Sequence, residues 1–472
     1  MTETPQEGIA EAKHDPTRPA ALLEFMTTGW AAREEQLPAA AAGSSYRAAR
    51  RRALAERFPG EVLVVPTGGY KTRANDTEYR FRPGTDFAYL VGSHEPDAVL
   101  VLDKGNAVLY QAPSMDRSTP AFFTDRMYGE LWVGPRPTLA ATSALLGVET
   151  RPLEELDKLS GKARVLRGLD ARVEALFEIE EEADKELAEF LSEQRLVKDA
   201  HEVEQLQEAV DATILGFEDV VRQIPAAVQT SERWLEGVFG LRARVEGNDV
   251  GYGSICAAGT HACTLHWTEN DGEVKDGDLV LLDMGVEGNE LYTADVTRTL
   301  PVNGTFTPRQ REVYTLVYES QEAALAACKS GADFLAPHKA AMKVLAEGLE
   351  RMGILESADA ALAEDSQLYR RYTLHGVSHM LGLDVHDCAH ARDEMYTKGQ
   401  LAEGYVLTIE PGLYFQPDDL TVPEDLRGIG VRIEDDVVVT KDGCRNLSAA
   451  LPRHPDEVES WMAGLRAESL DH

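Results

Sequence analysis

The chain has 472 residues, 43% apolar and 27% charged. That is the balance of a soluble globular protein, and it is more than one ordinary core fills, so two domains are expected. Lys and Arg number 47 against 81 Asp and Glu, a net charge of -34, which argues against nucleic acid as a partner and otherwise serves solubility. No run reaches the roughly 18 apolar residues of a spanning helix, so no membrane association is expected. The opening MTETPQEGIAEAKHDP has no basic segment followed by an apolar one, so a Sec-type signal is not expected either.

In chain order, residues 1 to about 20 are polar and read as a mobile tail. The Ala- and Arg-rich stretch from Ala21 to Phe58 reads as two helical pieces, broken near residue 40. EVLVVPTG, FAYLVG, DAVLVLD and NAVLYQA are short apolar runs between Gly, Pro and Asp, and read as strands; RVLRGLD reads as another. Asp170 to Arg195 has apolar residues at helical spacing. An α/β domain thus closes near residue 193. Asp199 and Glu202 then have the spacing of a capping box, ahead of a helix to about Val221. Ser231 opens a second helix. Thr307-Pro308 starts a third, ending near Gly331, and Pro337 to Met352 reads as a fourth. Each helix pair is followed by a strand-rich stretch, so this part reads as α+β with two related halves. The five cysteines, Cys256, Cys263, Cys328, Cys388 and Cys444, include no CxxC pair. They fit reduced thiols in a cytoplasm.

The second half places acids where strand logic wants apolar residues. Asp283 sits inside DLVLLDMG, and Asp295 in the middle of YTADVTRTL. Gly288-Asn289 between them supplies a turn, so both belong to one hairpin. YVLTIEPG ends in Glu410. In GIGVRIEDD, Ile429, Val431 and Ile433 face one way, Arg432 and Glu434 the other. A buried unpaired carboxylate is costly or stays protonated. One such residue is as readily explained by a capped turn or an arginine partner as by a site. Four in one domain are explained most economically by metal. Histidines agree: His375, His379 and His386 fall within one Gly-punctuated run, and His266 just precedes the Asp283 strand. His375 and His379 have i, i+4 spacing, but Gly376 stands where HExxH needs its Glu, so a zincin is set aside. Four carboxylates with one imidazole form a hard donor set that favours Mn²⁺ or a similar ion. Four carboxylates balance two divalent ions, whereas one ion would leave two negative charges to bury, so two ions are expected.

Asp283, Asp295, His379, Glu410 and Glu434, in order and in context, resemble the five metal ligands of the pita-bread metallopeptidases. LHWTEN, DVTRTLPVNGTFTPRQREVY, HGVSHMLGLDVHD, TIEPGLY and RGIGVRIEDD resemble, within that group, the proline-specific aminopeptidases known as aminopeptidase P. EYRFRPGTDFAYLVG, EPDAVLVL and GELWVGPRP resemble the N-terminal domain of the same family. Asp283 and Asp295 stand one residue further apart than is usual there, and the turn around Gly288-Asn289-Glu290 can absorb it. The implied plan is an extension over 1–45, a non-catalytic α/β domain over 46–193, and a pita-bread catalytic domain over 194–472 with pseudo-twofold halves.

The resemblance also implies roles. Asp283 would bind one metal, His379 and Glu410 the other, and Asp295 and Glu434 would bridge. A bridging hydroxide would attack the carbonyl before a penultimate proline, with Glu410 taking its proton. His266 and His386 would contact substrate or the developing oxyanion. His375 would lie near the cleft, and Arg432 and Tyr414 would hydrogen-bond within the site. Trp132 matches a tryptophan lent to a neighbouring subunit, implying a homodimer or homotetramer, though a local packing role explains it equally well. The expected substrates are peptides with proline second. A prolidase shares the fold and ligands and remains the alternative. Non-catalytic binding proteins of the fold have lost ligands that all stand here.

Overall fold

The computed structural model describes residues 18–33 and 35–468; most of the tail expected over the first 20 lies outside them. The chain divides into two compact units, one up to Leu191 and the other from Ser192.

The first unit is built on a five-stranded mixed sheet, in the order Glu149–Pro152, Asn106–Gln111, Val99–Asp103, Val62–Pro66 and Arg164–Val165. Its central strands, Val62–Pro66 and Val99–Asp103, pair antiparallel and are almost wholly buried. The two expected helical pieces are Ala20–Met26 and Ser44–Arg57. FAYLVG is not a strand but lies in the helix Thr85–Val91. A short apolar run has no period that separates the two forms. Here Asp86 in the first turn and Gly92 at φ 72, a left-handed stop, decide for helix. The expected helix over Asp170 to Arg195 is split into Ala171–Glu174 and Glu181–Gln194.

The second unit opens with the helix Ala200–Ala227, capped by reciprocal Asp199 and Glu202 hydrogen bonds. It runs past Val221, through Pro225, because Ile224 and Ala227 are fully buried and packing holds the last turn despite the missing donor. Glu232–Glu246 pairs with it. Pro308–Ala327, capped by Thr307 and Gln310, pairs with Ala336–Arg351. Each pair closes over a glycine. A Cβ at Gly216 would strike the Phe239 ring, and one at Gly348 would strike Leu316.

A three-stranded sheet follows each pair. The first is ordered Val296–Pro301, Leu279–Met284, Ile255–Ala258, and the second Val406–Ile409, Asp435–Val439, Cys444–Asn446. Gly412–Tyr414 pairs with Gly430–Arg432. One apolar core runs through both halves, joining Val280 and Leu282 to Val313, Leu345, Leu407 and Val437. The halves also meet by backbone: Glu434 N–H donates to Thr297 O at 3.1 Å. All five cysteines are free. Among the described residues no helix is long and apolar enough to cross a membrane.

Candidate metal centre and active site

Hairpin register places the first two acids. Leu279–Met284 and Val296–Pro301 pair with Asp283 opposite Thr297. Asp295 immediately precedes the second strand, on the same end of the ladder as Asp283. The connection turns over residues 288–292, where Gly288 N–H donates to Tyr292 O at 2.8 Å and Leu291 takes a left-handed φ of 72. The other half supplies the rest. The stretch before His379 is not helical. It lies along the strand Val406–Ile409, with Thr408 N–H donating to His379 O at 3.0 Å and Glu410 N–H to Val377 O at 2.8 Å. His379 thus faces Glu410. Glu434 falls between the strands Gly430–Arg432 and Asp435–Val439.

The result is one cluster. Ligand atoms of Asp295, His379 and Glu434 all lie within 4.8 Å of one another. His379 Nε2 stands 3.3 Å from Asp295 Oδ2 and 3.5 Å from Glu410 Oε1. Asp283 and Glu410 stand at the edges of that trio. Tyr252, which the sequence reading missed, has its hydroxyl 2.7 Å from Asp283 Oδ1 and 2.5 Å from Asp295 Oδ1. Its signal was weak: a lone tyrosine between glycines in GYGS. Thr297, also missed, donates its hydroxyl to Glu434 Oε2 at 2.6 Å. Arg432 donates to Asp283, and to the Tyr414 hydroxyl at 3.0 Å. His375 bonds the same hydroxyl at 2.8 Å and stands 3.4 Å from Glu410 Oε2. The His386 ring stands edge-on to His379, centroids 4.4 Å apart.

All five acid and imidazole candidates line one cavity of about 520 Å³, together with Tyr252, His266, His375, His386 and Arg432. Ile255, Leu265 and Val385 supply an apolar wall. Trp132 is not among the lining residues. It stands half exposed on the short helix Glu130–Val133, its indole N–H donating to Phe123 O at 2.8 Å and its ring under Arg126.

The electrostatics show what the cluster lacks. Burial raises the Glu434 carboxyl well above its ordinary range, and the neighbouring Asp295, Glu410 and Asp283 raise it further. Burial pushes Glu410 up to about 7, against the pull of His379 and Arg432. Asp283 is also raised by burial, although Arg432 opposes it. Burial disfavours the His379 cation, but the Asp295 and Glu410 carboxylates outweigh it and hold the ring at about 9. So many acids cannot all ionise in one dry site on their own. Divalent cations would let them. The donor set, carboxylate oxygens with one imidazole nitrogen, fits hard divalent ions.

Comparison with known proteins decides the family. A model of metallopeptidase family M24 matches residues 204–441, and one of the aminopeptidase P N-terminal domain matches residues 47–166. The chain belongs to family M24. It is 54% identical over 455 residues to Xaa-Pro aminopeptidase 1 of Streptomyces coelicolor, spanning 94% of this chain and 92% of that one. It is 34% identical over 446 residues to the Xaa-Pro aminopeptidase of Escherichia coli, spanning 89% and 98%. The structure of E. coli aminopeptidase P with the inhibitor Pro-Leu aligns at a TM-score of 0.79 and 32% identity, over 90% of this chain and 99% of that one. The chain is therefore a metallo-aminopeptidase of the aminopeptidase P group, with an α/β N-terminal domain and a pita-bread catalytic domain, as the sequence implied.

Proposed function

We propose that this enzyme removes the first residue from peptides whose second residue is proline. The observation that carries the reading is the Asp295, His379 and Glu434 trio, lining one cavity with Asp283, Glu410 and apolar side chains, in a chain so like named Xaa-Pro aminopeptidases. Asp283, Asp295, His379, Glu410 and Glu434 would hold two divalent ions, with Mn²⁺ the preferred metal. Bound there, such ions would supply Lewis acidity and a water acidified to near neutrality.

The chain's own side chains do the rest. Glu410, 3.4 Å from His375 Nδ1 and 3.5 Å from His379 Nε2, would take and return the proton of the attacking water. Burial, helped by Arg432, lowers His375 to about 4, and burial beside His379 lowers His386. Both rings therefore stay neutral at pH 7 and can donate one N–H without adding charge. Tyr414, buried behind the cavity lining, ties Arg432 and His375 together through its hydroxyl. His266 and His386 would hold the substrate. Ile255, Leu265 and Val385 would seat the pyrrolidine ring. The nitrogen of an Xaa-Pro bond carries no hydrogen, so the site needs no acceptor for it.

A homodimer or homotetramer belongs to this reading, supported by the exposed run Leu131, Trp132 and Val133. So does a cytoplasmic location, supported by five free thiols. The test is kcat/KM on Xaa-Pro-Xaa against Xaa-Ala-Xaa. Alanine loses ring contacts and buries an unpaired N–H, so a preference of at least roughly tenfold to a hundredfold is expected. Equal rates would remove the proline claim. Turnover confined to Xaa-Pro dipeptides would make the enzyme a prolidase.

A further inference from the structure

A second buried carboxylate lies apart from the ligand cluster. Glu232, in the first turn of the helix Glu232–Glu246, is fully buried. Its Oε1 accepts from Ala258 N–H at 2.7 Å and faces His261 Nδ1 at 2.9 Å. Its Oε2 accepts from Trp267 Nε1–H at 2.8 Å and from Gly272 N–H at 2.7 Å. These four partners fill the capacity of one carboxylate. The His261 and Trp267 rings stack, centroids 3.9 Å apart. The backbone is pressed against this hub, since a Cβ at Gly272 would run into the His261 ring and the Glu232 carboxylate. Just before it, buried Asn270 at φ 49 bridges Ser254 O and Cys256 N–H.

The hub holds one stretch of otherwise exposed chain. His266 and Thr268 line the cavity, while Trp267 between them turns to Glu232. Among the described residues no hydrogen bond holds the His266 ring. Its placement must come from the chain on either side, where Leu265 packs against the buried cluster around Ile255 and Trp267 is the neighbour fixed by a hydrogen bond. We propose that Trp267, held by Glu232 and His261, is the positioning residue that sets His266 at the substrate. This rests on the reading of His266 as a substrate contact.

The test is a double-mutant cycle on the metal-loaded enzyme with an Xaa-Pro-Xaa substrate. Trp267→Phe keeps an aromatic ring against His261 and deletes the donor. It should lower kcat/KM about tenfold, mainly through KM, with metal content unchanged. In a His266→Ala background the same change should cost less than about twofold, because there is no ring left to place. Glu232→Gln approaches the bond from its other end and should give the same dependence on His266. A fall of equal size in both backgrounds would mark a general structural loss and overturn the proposal. So would wild-type kcat/KM in Trp267→Phe while His266→Ala is impaired. Wild-type kcat/KM in His266→Ala would instead overturn the substrate role of His266 and this proposal with it.

Discussion

The sheet of the first unit and the sheets of the second are buried alike but filled with different chemistry. Val99–Asp103 runs through the middle of the first sheet with Val99, Leu100, Val101 and Leu102 all buried, and its one acid lies at the exposed end. Leu279–Met284 holds the same central place in its own sheet, buried throughout, yet carries Asp283. Its neighbour Val296–Pro301 buries Thr297, Arg298 and Thr299. Arg298 makes that tolerable. It donates to the carbonyls of Pro452, Thr297, Glu434 and Leu451 and to Asp435 Oδ1, so no donor is left bare. The two central strands of the first sheet bury apolar side chains only. The second sheet gives up apolar burial to hold charge, and it needs both an internal hydrogen-bond network and a bound cation to offset the cost.

Three changes should break that contrast in order. Glu410→Gln should lower kcat by at least about a hundredfold, because it removes a metal donor and the proton acceptor together; a variant retaining more than about a tenth of wild-type kcat would refute the role. Leu100→Ala should cost the first unit about 2–5 kcal/mol by opening a cavity among buried side chains, and should leave metal content untouched. Calorimetry with metal analysis would show it. Chelation should abolish activity and lower the melting of the second unit only, with Mn²⁺ restoring activity better than Zn²⁺. At free metal near 100 times Kd the difference is about 2.7 kcal/mol for each ion bound. Equal shifts in both units, or activity with metal shown absent, would count against a metal site confined to the second.

How far the sequence reached follows from the same contrast. Asp283, Asp295, Glu410 and Glu434 were legible because they violate strand patterning. The helix cap at Asp199 was legible because its partner Glu202 lies three residues on, and that at Thr307 because Pro308 follows it. FAYLVG was misread because a helix buried on every side has no polar face to show a period. Tyr252 and Glu232 were silent for another reason. Each draws its importance from partners 15 or more residues away, as with Tyr252 and Asp283, separated by 31, and Glu232 and Trp267, separated by 35. Nothing local marks such a pairing. Trp132 was legible only as a resemblance, and its local contacts account for its indole N–H.

The smallest effect sharpens the comparison most, because its sign differs with and without metal. In the metal-free second unit Glu410 is pushed up to about 7, and Glu434 is raised well above the ordinary range. His379 is held at about 9 against 6.5 in the unfolded chain. His375, lowered to about 4, and His386, also lowered, oppose this only until the unfolded imidazoles, at 6.5, have lost their protons, about one pH unit higher, and Glu434, His379 and Glu410 outweigh them meanwhile. Between about pH 6.5 and 8.5 the folded unit therefore binds more protons than the unfolded chain. Its stability must fall as pH rises through that window. With metal bound the same groups have already given up their protons, and metal affinity grows with pH. The gap in melting temperature between loaded and metal-free protein should thus widen steadily from pH 6.5 to 8.5, while the first unit's transition shows no such gap. Calorimetric scans at several pH values, with and without Mn²⁺, measure it directly. A gap that stays constant or narrows would mean that the acids of the cluster do not hold protons in the metal-free fold.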